Sequence, residues 1–201
     1  MNFLKIVFFF FALLFLGAAV ALILPLRPTY SESEKRELTK FPVNDKIDIA
    51  AFIMFGDVEV TEKAAEELLK ISPEHDVVVS AEAKGIPLCY EMARQGCREY
   101  VIARKSVKVY MRNSLEVKVT SITTQKEQSL YLGETEVNMI KGKRVLIVDD
   151  VISTGESLAA TRELVKRAGA VEAAACAFLA EGDAANRDDI IFLEKLPLFF
   201  K

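Results

Sequence analysis

An α/β fold with a central parallel sheet flanked by helices is predicted by three observations. Two short runs, DVVVS (residues 76–80) and RVLIV (residues 144–148), are apolar and β-branched through their centres. A helical pattern follows each, over residues 85–95 and 156–168, and further strand-like segments stand at residues 100–103 and 171–179. Runs of this composition suit strands covered on both faces. Strand alternating with helix implies a parallel sheet, helices on both faces and right-handed crossovers.

Taken from its beginning, the chain opens on its most apolar segment. Residues 3–26 carry one charge, Lys5, and residues 6–24 form an unbroken apolar run of 19. At ~1.5 Å rise per residue, such a run is long enough to cross a hydrocarbon core of ~30 Å. Residues 1–26 are therefore expected to be a transmembrane anchor. A cleaved signal peptide is the alternative, with Gly17, Ala18, Ala19 and Ala21 as small residues. Against it, the run exceeds the ~7–15 residues of a signal core, and Ala19 lies inside the run rather than after it. One Lys precedes the run, whereas Arg27, Lys35, Arg36 and Lys40 follow it. The positive-inside bias then predicts a single-pass membrane protein with its C-terminal domain in the cytoplasm.

Beyond the anchor, charges of both signs interleave and the whole chain has a formal net charge of -3. No basic face or stripe is present, which excludes nucleic acid as a partner. Cys89, Cys97 and Cys176 are odd in number and lack metal-ligand spacing, so they read as reduced thiols.

Residues 27–42, with Pro28, Pro42 and the run SESEKRE, read as a juxtamembrane linker, and residues 43–201 as the folded domain. Thr61 is the expected N-cap of an amphipathic helix over residues 63–71, stopped by Ser72-Pro73. Residues 107–132 alternate polar and apolar side chains, the pattern of a β-hairpin or extended flap. Neither repeats nor low-complexity tracts are present.

The richest chemistry lies in VLIVDDVISTGES (residues 145–157), where an apolar strand is expected to end in two acids and pass through Ser-Thr-Gly into a helix. Ligands of open parallel sheets bind beyond the carboxyl ends of the strands. Glycine and small hydroxyl residues at a helix start present N–H groups and a positive dipole end to an anion such as phosphate. Asp149 and Asp150 are unsuited to phosphate. They can instead accept hydrogen bonds from a vicinal diol and attract a divalent cation. Phosphate plus diol describes a phosphorylated sugar.

This segment resembles the motif with which type I phosphoribosyltransferases bind 5-phosphoribosyl-1-pyrophosphate (PRPP), and the similarity extends over residues 43–201. EAKGIPL (residues 82–88) resembles the family loop that contacts pyrophosphate. ARKSVK (residues 103–108) is similar to the RKxxK element of the adenine and xanthine branch, and SITTQKEQSLYL (residues 121–132) to the flap that closes over PRPP. The resemblance implies a parallel-sheet domain with a small hood and a β flap, a homodimer, and displacement of pyrophosphate from C1 of PRPP by a purine nitrogen, with Mg2+ on the substrate. It assigns Asp149 and Asp150 to the ribose hydroxyls and, directly or through water, to the metal. Ser153, Thr154, Gly155, Glu156 and Ser157 would hold the 5′-phosphate. Ala83, Lys84 and Gly85, with Arg104, Lys105 and Lys108, would bind pyrophosphate.

Hypoxanthine-guanine members carry Asp at the position of Ser153, so a small residue there leans towards the adenine or xanthine branch. Glu156 departs from the Gly or Lys of many relatives and places a carboxylate beside the phosphate loop. The hood would draw on residues 51–57 and on the C-terminal segment, with Phe52, Phe55, Leu196 and Phe199 as stacking candidates against the base. His75, the only histidine, follows Pro73 and Glu74 and is expected to be solvated, which excludes Ser-His-Asp and Cys-His chemistry. The rival reading is a sensor of the same fold that binds PRPP or nucleotide without transfer.

Overall fold

The computed structural model describes residues 36–120 and 127–201. The expected anchor and the first half of the expected flap lie outside them. Among the described residues, no helix is long and apolar enough to cross a membrane. The chain divides into two compact units: residues 36–52 with Leu196–Lys201, and Ile53–Lys195.

The smaller unit is a three-stranded sheet in the order β1 (Lys40–Pro42), β2 (Ile47–Ala50), β10 (Leu198–Phe200). Ile49 of β2 stands between Phe41 and Leu198, antiparallel to both. Lys201 closes the unit through a 2.9 Å ion pair with Asp48. The sheet thus begins three residues before Val43 and takes in the end of the segment read as a linker, because Lys40–Pro42 pairs with β2.

The larger unit is built on a five-stranded sheet in the order β4 (Tyr100–Ala103), β3 (Val77–Ala81), β7 (Arg144–Ile152), β8 (Val171–Glu181), β9 (Ile191–Leu196). The β4–β3, β3–β7 and β7–β8 pairs are parallel, as expected. Every residue of β3 is buried. Successive residues of a strand face opposite sides. Val77, Val79, Val145 and Ile147 therefore join Leu158, Leu164 and Val165 of helix α4 (Glu156–Arg167) in one apolar cluster. Val78, Leu146 and Val148 point to the other face, against which α1 (Val58–Ile71) and α2 (Ile86–Gln95) pack. Each such buried side chain contributes roughly 1.5–3 kcal/mol.

Several expected boundaries move. Helix α1 starts at Val58, and its cap is Asp57, whose carboxylate accepts from the Val60 N–H at 3.2 Å. Thr61 lies inside the helix and donates its hydroxyl to the Asp57 carbonyl at 2.6 Å, a bond that satisfies it without capping. The hairpin is confined to β5 (Leu115–Thr120) and β6 (Glu127–Leu132), since residues 107–113 form no strand. A short helix α3 (Glu134–Ile140), absent from the sequence reading, follows it. Strand β7 continues to Ile152 rather than ending at Val148, because β8 is long enough to pair with it as far as Ile152↔Ala180. The β7–β8 register shifts once, between Val145↔Glu172 and Leu146↔Ala174, so that Ala173 is an extra residue on β8.

Candidate active site

Strand β3 accompanies β7 only as far as Val79↔Ile147. Beyond that point the loop between β3 and α2 lies against β7. Gly85, the N-cap of α2, is buried so closely that a Cβ on it would stand 2.5 Å from Ser80 Oγ, 2.9 Å from Asp149 Oδ1 and 3.2 Å from Asp149 Cα. The absence of a Cβ at Gly85 thus lets the loop pack closely against Ser80 and Asp149. One residue earlier, Lys84 places its Nζ 3.1 Å from Asp150 Oδ2. EAKG and VDD, 60-odd residues apart in sequence, therefore meet at one junction at the ends of two parallel strands.

The two acids differ. Asp150 is buried, with 2% of its surface exposed. Its Oδ2 pairs with Lys84 by charge but makes no aligned hydrogen bond among the described residues. Asp149 accepts the Asp150 backbone N–H at 2.9 Å. Burial first, and then the neighbouring Asp150 carboxylate, pushes Asp149 up to about 8, while the Asp150 N–H and Lys84 oppose the shift. Glu181, at the end of β8, is also raised by burial, with Lys84 opposing. One cation therefore serves several acids. The expectation that the strand ends in the two acids is corrected: β7 carries both and runs on to Ile152, with Asp149 paired to Ala177.

The loop at residues 153–155 leads into α4. Gly155 adopts φ +79°, where other residues are strained, and caps the helix. The first intrahelical bond shown runs from the Ala159 N–H to the Gly155 carbonyl at 2.8 Å. The Ser157 amide thus belongs to the first helical turn, whose N–H groups find no acceptor within the helix itself. Ser153 and Thr154 are exposed, and Glu156 and Ser157 half-buried.

The basic element follows β4. Arg104 donates to Glu82 Oε1 at 2.9 Å, and the Lys105 backbone N–H to Glu82 Oε2 at 2.9 Å. These bonds, the Lys105 N–H foremost, hold Glu82 below the ordinary carboxylate range. Arg104 also bridges to Tyr131 of β6 through paired backbone bonds of 2.9 and 2.8 Å, which ties the element to the hairpin. Lys105 is exposed, and Lys108 donates to Ser106 Oγ at 2.8 Å.

Sequence reasoning missed Glu82 as the tether between the two basic segments, and Arg187, whose Nη1 stands 2.4 Å from where a Cβ on Gly155 would lie. Neither carried a signal in a single sequence, because both act through contacts across the fold. Among the stacking candidates, Phe52 and Leu196 are buried, Phe55 is 51% exposed, and Phe199 has Lys40 Nζ 3.7 Å from its ring centroid. His75 is half-buried rather than solvated, because its Nδ1 lies 2.9 Å from the Pro73 carbonyl. It precedes β3, at the end of the strand away from Glu82.

Known proteins are similar to this chain. A hypoxanthine/guanine phosphoribosyltransferase of Methanococcus voltae is 34% identical over 129 residues, 64% of this chain and 63% of that protein. One of Methanotorris igneus is 43% identical over 95 residues, 47% and 48% of the two chains. The chain thus spans between about half and just under two thirds of the length of these curated relatives. Adenine phosphoribosyltransferase structures share the fold. The one from Thermoanaerobacter pseudethanolicus has a TM-score of 0.60 at 24% identity, over 70% of this chain and 83% of that one. The one from Giardia lamblia has a TM-score of 0.57 at 20% identity, over 69% and 78%. A family profile described as the phosphoribosyl transferase domain matches residues 57–196, and the chain belongs to that family.

Proposed function

We propose that this chain is a purine phosphoribosyltransferase that takes the phosphoribosyl group from PRPP and releases pyrophosphate. The observation that carries the reading is the junction of Lys84 and Gly85 with Asp150 and Asp149, a cation and a close-packed loop set against two carboxylates. A ribose carrying pyrophosphate at C1 needs that combination, namely acceptors for its hydroxyls beside donors for its leaving group.

In this reading Asp149 and Asp150 accept hydrogen bonds from the ribose hydroxyls. The N–H groups and hydroxyls of residues 153–157 hold the 5′-phosphate at the positive end of α4. The C1–oxygen bond to pyrophosphate breaks as a ring nitrogen of the base bonds to C1, and pyrophosphate leaves with the electron pair. Residues 83–85, with Arg104, Lys105 and Lys108, stabilise the charge that develops on it. Arg104 arrives oriented, because Glu82 already holds its guanidinium.

Mg2+ fits this donor set. Magnesium uses one or two carboxylates together with waters and substrate phosphates. Asp150 offers a buried oxygen without a hydrogen bond, and among the described residues no cluster of three acids, histidines or cysteines forms a cage by itself. Asp149 and Asp150 would hold the ion, which supplies charge neutralisation to the leaving pyrophosphate.

For the acceptor, Ser153 supports adenine, whereas the curated relatives are named for hypoxanthine and guanine. Pyrophosphate release by the full-length chain with PRPP and Mg2+, measured with adenine, guanine, hypoxanthine and xanthine in turn, decides between them. Release with adenine is expected. Release with hypoxanthine or guanine alone would transfer the acceptor to that of the relatives, and PRPP binding without release for any base would make the protein a sensor. The apolar run at residues 6–24 and the Arg and Lys residues behind it support a membrane anchor with a cytoplasmic domain. A reporter fused after Lys201 should accordingly score as cytoplasmic. A homodimer is expected in sedimentation.

A further inference from the structure

The loop at the start of α4 meets a second element whose sequence carries no motif. After β8 the chain makes a turn of 3-10 helix (Gly182–Asn186) and brings Arg187 back over Gly155. The guanidinium is held from one side. Its Nε donates to Asp189 Oδ1 at 2.8 Å and its Nη2 to Asp189 Oδ2 at 2.7 Å, a two-pronged pair of fixed geometry. Asp189 is itself fixed by Arg162 of α4, which donates to its carboxylate at 2.5 Å and to its backbone carbonyl at 2.9 Å. Arg162 in turn pairs with Glu172 of β8 at 2.9 Å. Arg187 and then Arg162 hold the Asp189 carboxyl well below the usual carboxylate range.

This chain of contacts leaves one guanidinium nitrogen, Nη1, with no hydrogen bond among the described residues, and it is the nitrogen set against Gly155. Arg187 is about a third exposed, open enough to meet a ligand. The loop it faces is the one assigned to a phosphate. Glu156, next to Gly155, adds a carboxylate where a dianionic phosphate is to bind, and the amides of a helix end carry only partial charges.

On the reading that residues 153–157 hold the 5′-phosphate, we propose that Arg187 is the side-chain cation of that subsite. It is aimed at the phosphate by Asp189 and offsets the charge of Glu156. The subsite then has two kinds of donor: backbone amides that fix position, and one full charge that supplies affinity.

Arg187→Gln and Arg187→Lys in the full-length chain test this by calorimetry with ribose 5-phosphate, which carries only the group in question, and with pyrophosphate plus Mg2+, which does not. Arg187→Gln should weaken ribose 5-phosphate about 10- to 100-fold, the size of one charge-assisted hydrogen bond, and leave pyrophosphate unchanged. Arg187→Lys should recover part of the loss, because it keeps the charge and loses the fork. Equal ribose 5-phosphate affinity in wild type and Arg187→Gln overturns the role of Arg187 and spares the functional reading. Parallel losses for both ligands also overturn it, since they mark a general disturbance. A wild-type chain that binds neither PRPP nor ribose 5-phosphate overturns the functional reading and the inference together.

Discussion

The junction at the ends of β3 and β7 and the basic element after β4 are both assigned to pyrophosphate, yet they are made in opposite ways. At the junction, position is set by exclusion. Gly85 has no room for a Cβ, Asp150 is buried, and Lys84 reaches across at 3.1 Å. In the basic element, position is set by attachment. Lys105 is exposed, and Arg104 is oriented through Glu82 and through its backbone bridge to Tyr131. A packed site fails by displacement, when an atom no longer fits. A tethered site fails by release, when a bond is lost.

The largest effect should come from the acids of the junction. Asp149→Asn and Asp150→Asn should each weaken PRPP binding at least about 100-fold by calorimetry, because the carboxyl oxygens that accept from the ribose hydroxyls are lost. The fold should persist in circular dichroism, and unchanged binding would refute the ribose assignment. Next comes Gly85→Ala. The Asp149 backbone cannot give way as the Ser80 hydroxyl can, so overpacking should cost about 1–3 kcal/mol in urea unfolding and most of the activity. A variant as stable and as active as wild type would show that the junction is not set by exclusion.

The tethered element should fail more gently. Glu82→Gln removes the carboxylate that holds Arg104 and the Lys105 N–H, and the KM for PRPP should rise roughly tenfold with less change in kcat, as expected when one charged hydrogen bond is lost. Acid should act in the same direction. The folded pKa of Glu82 is depressed, so its contribution is present above the unfolded carboxylate range and is lost as pH falls through the lower folded value. The smallest effect is expected from Lys108→Ala. It should weaken pyrophosphate about two- to fivefold, as for an exposed ion pair, and the difference should shrink as salt is added. A larger, salt-insensitive loss would mean that Lys108 is packed into the site when ligand is bound.

Much of the larger unit was legible because its signals are local. DVVVS and RVLIV fall on β3 and β7 with only their ends displaced, YVIA matches β4 residue for residue, and the STGES turn does lead into a helix. Polar segments misled wherever a tertiary partner decided the outcome. Thr61 looks like a cap until Asp57 takes the role. Asp149 and Asp150 look like the end of a strand until β8 proves long enough to carry them. The motif residues could be recognised singly, but their meeting could not, since the contact of Gly85 with Asp149 spans 64 positions (149 minus 85) and leaves no periodic trace. Arg187 was illegible for the same reason: an isolated Arg in ANRDD reads as a solvated turn until the chain folds it over Gly155.

The extra residue on β8 has a consequence for how such a site can change. If Ala173 paired with Leu146 instead of being left over, the register set by Val145↔Glu172 would carry forward unbroken, and Asp149 would stand beside Cys176 instead of Ala177. Because strand faces alternate, a slip of one residue turns every later side chain of β8 to the opposite side. Absorbing the extra residue into the ladder would therefore exchange the two surfaces of the strand that supports the acids, whereas deleting it would leave Leu146↔Ala174 and every later pair in place. The floor of the site and its chemistry are thus written in separate places, and the floor is set by whether one alanine, 24 positions from Asp149 (173 minus 149), stays outside the ladder.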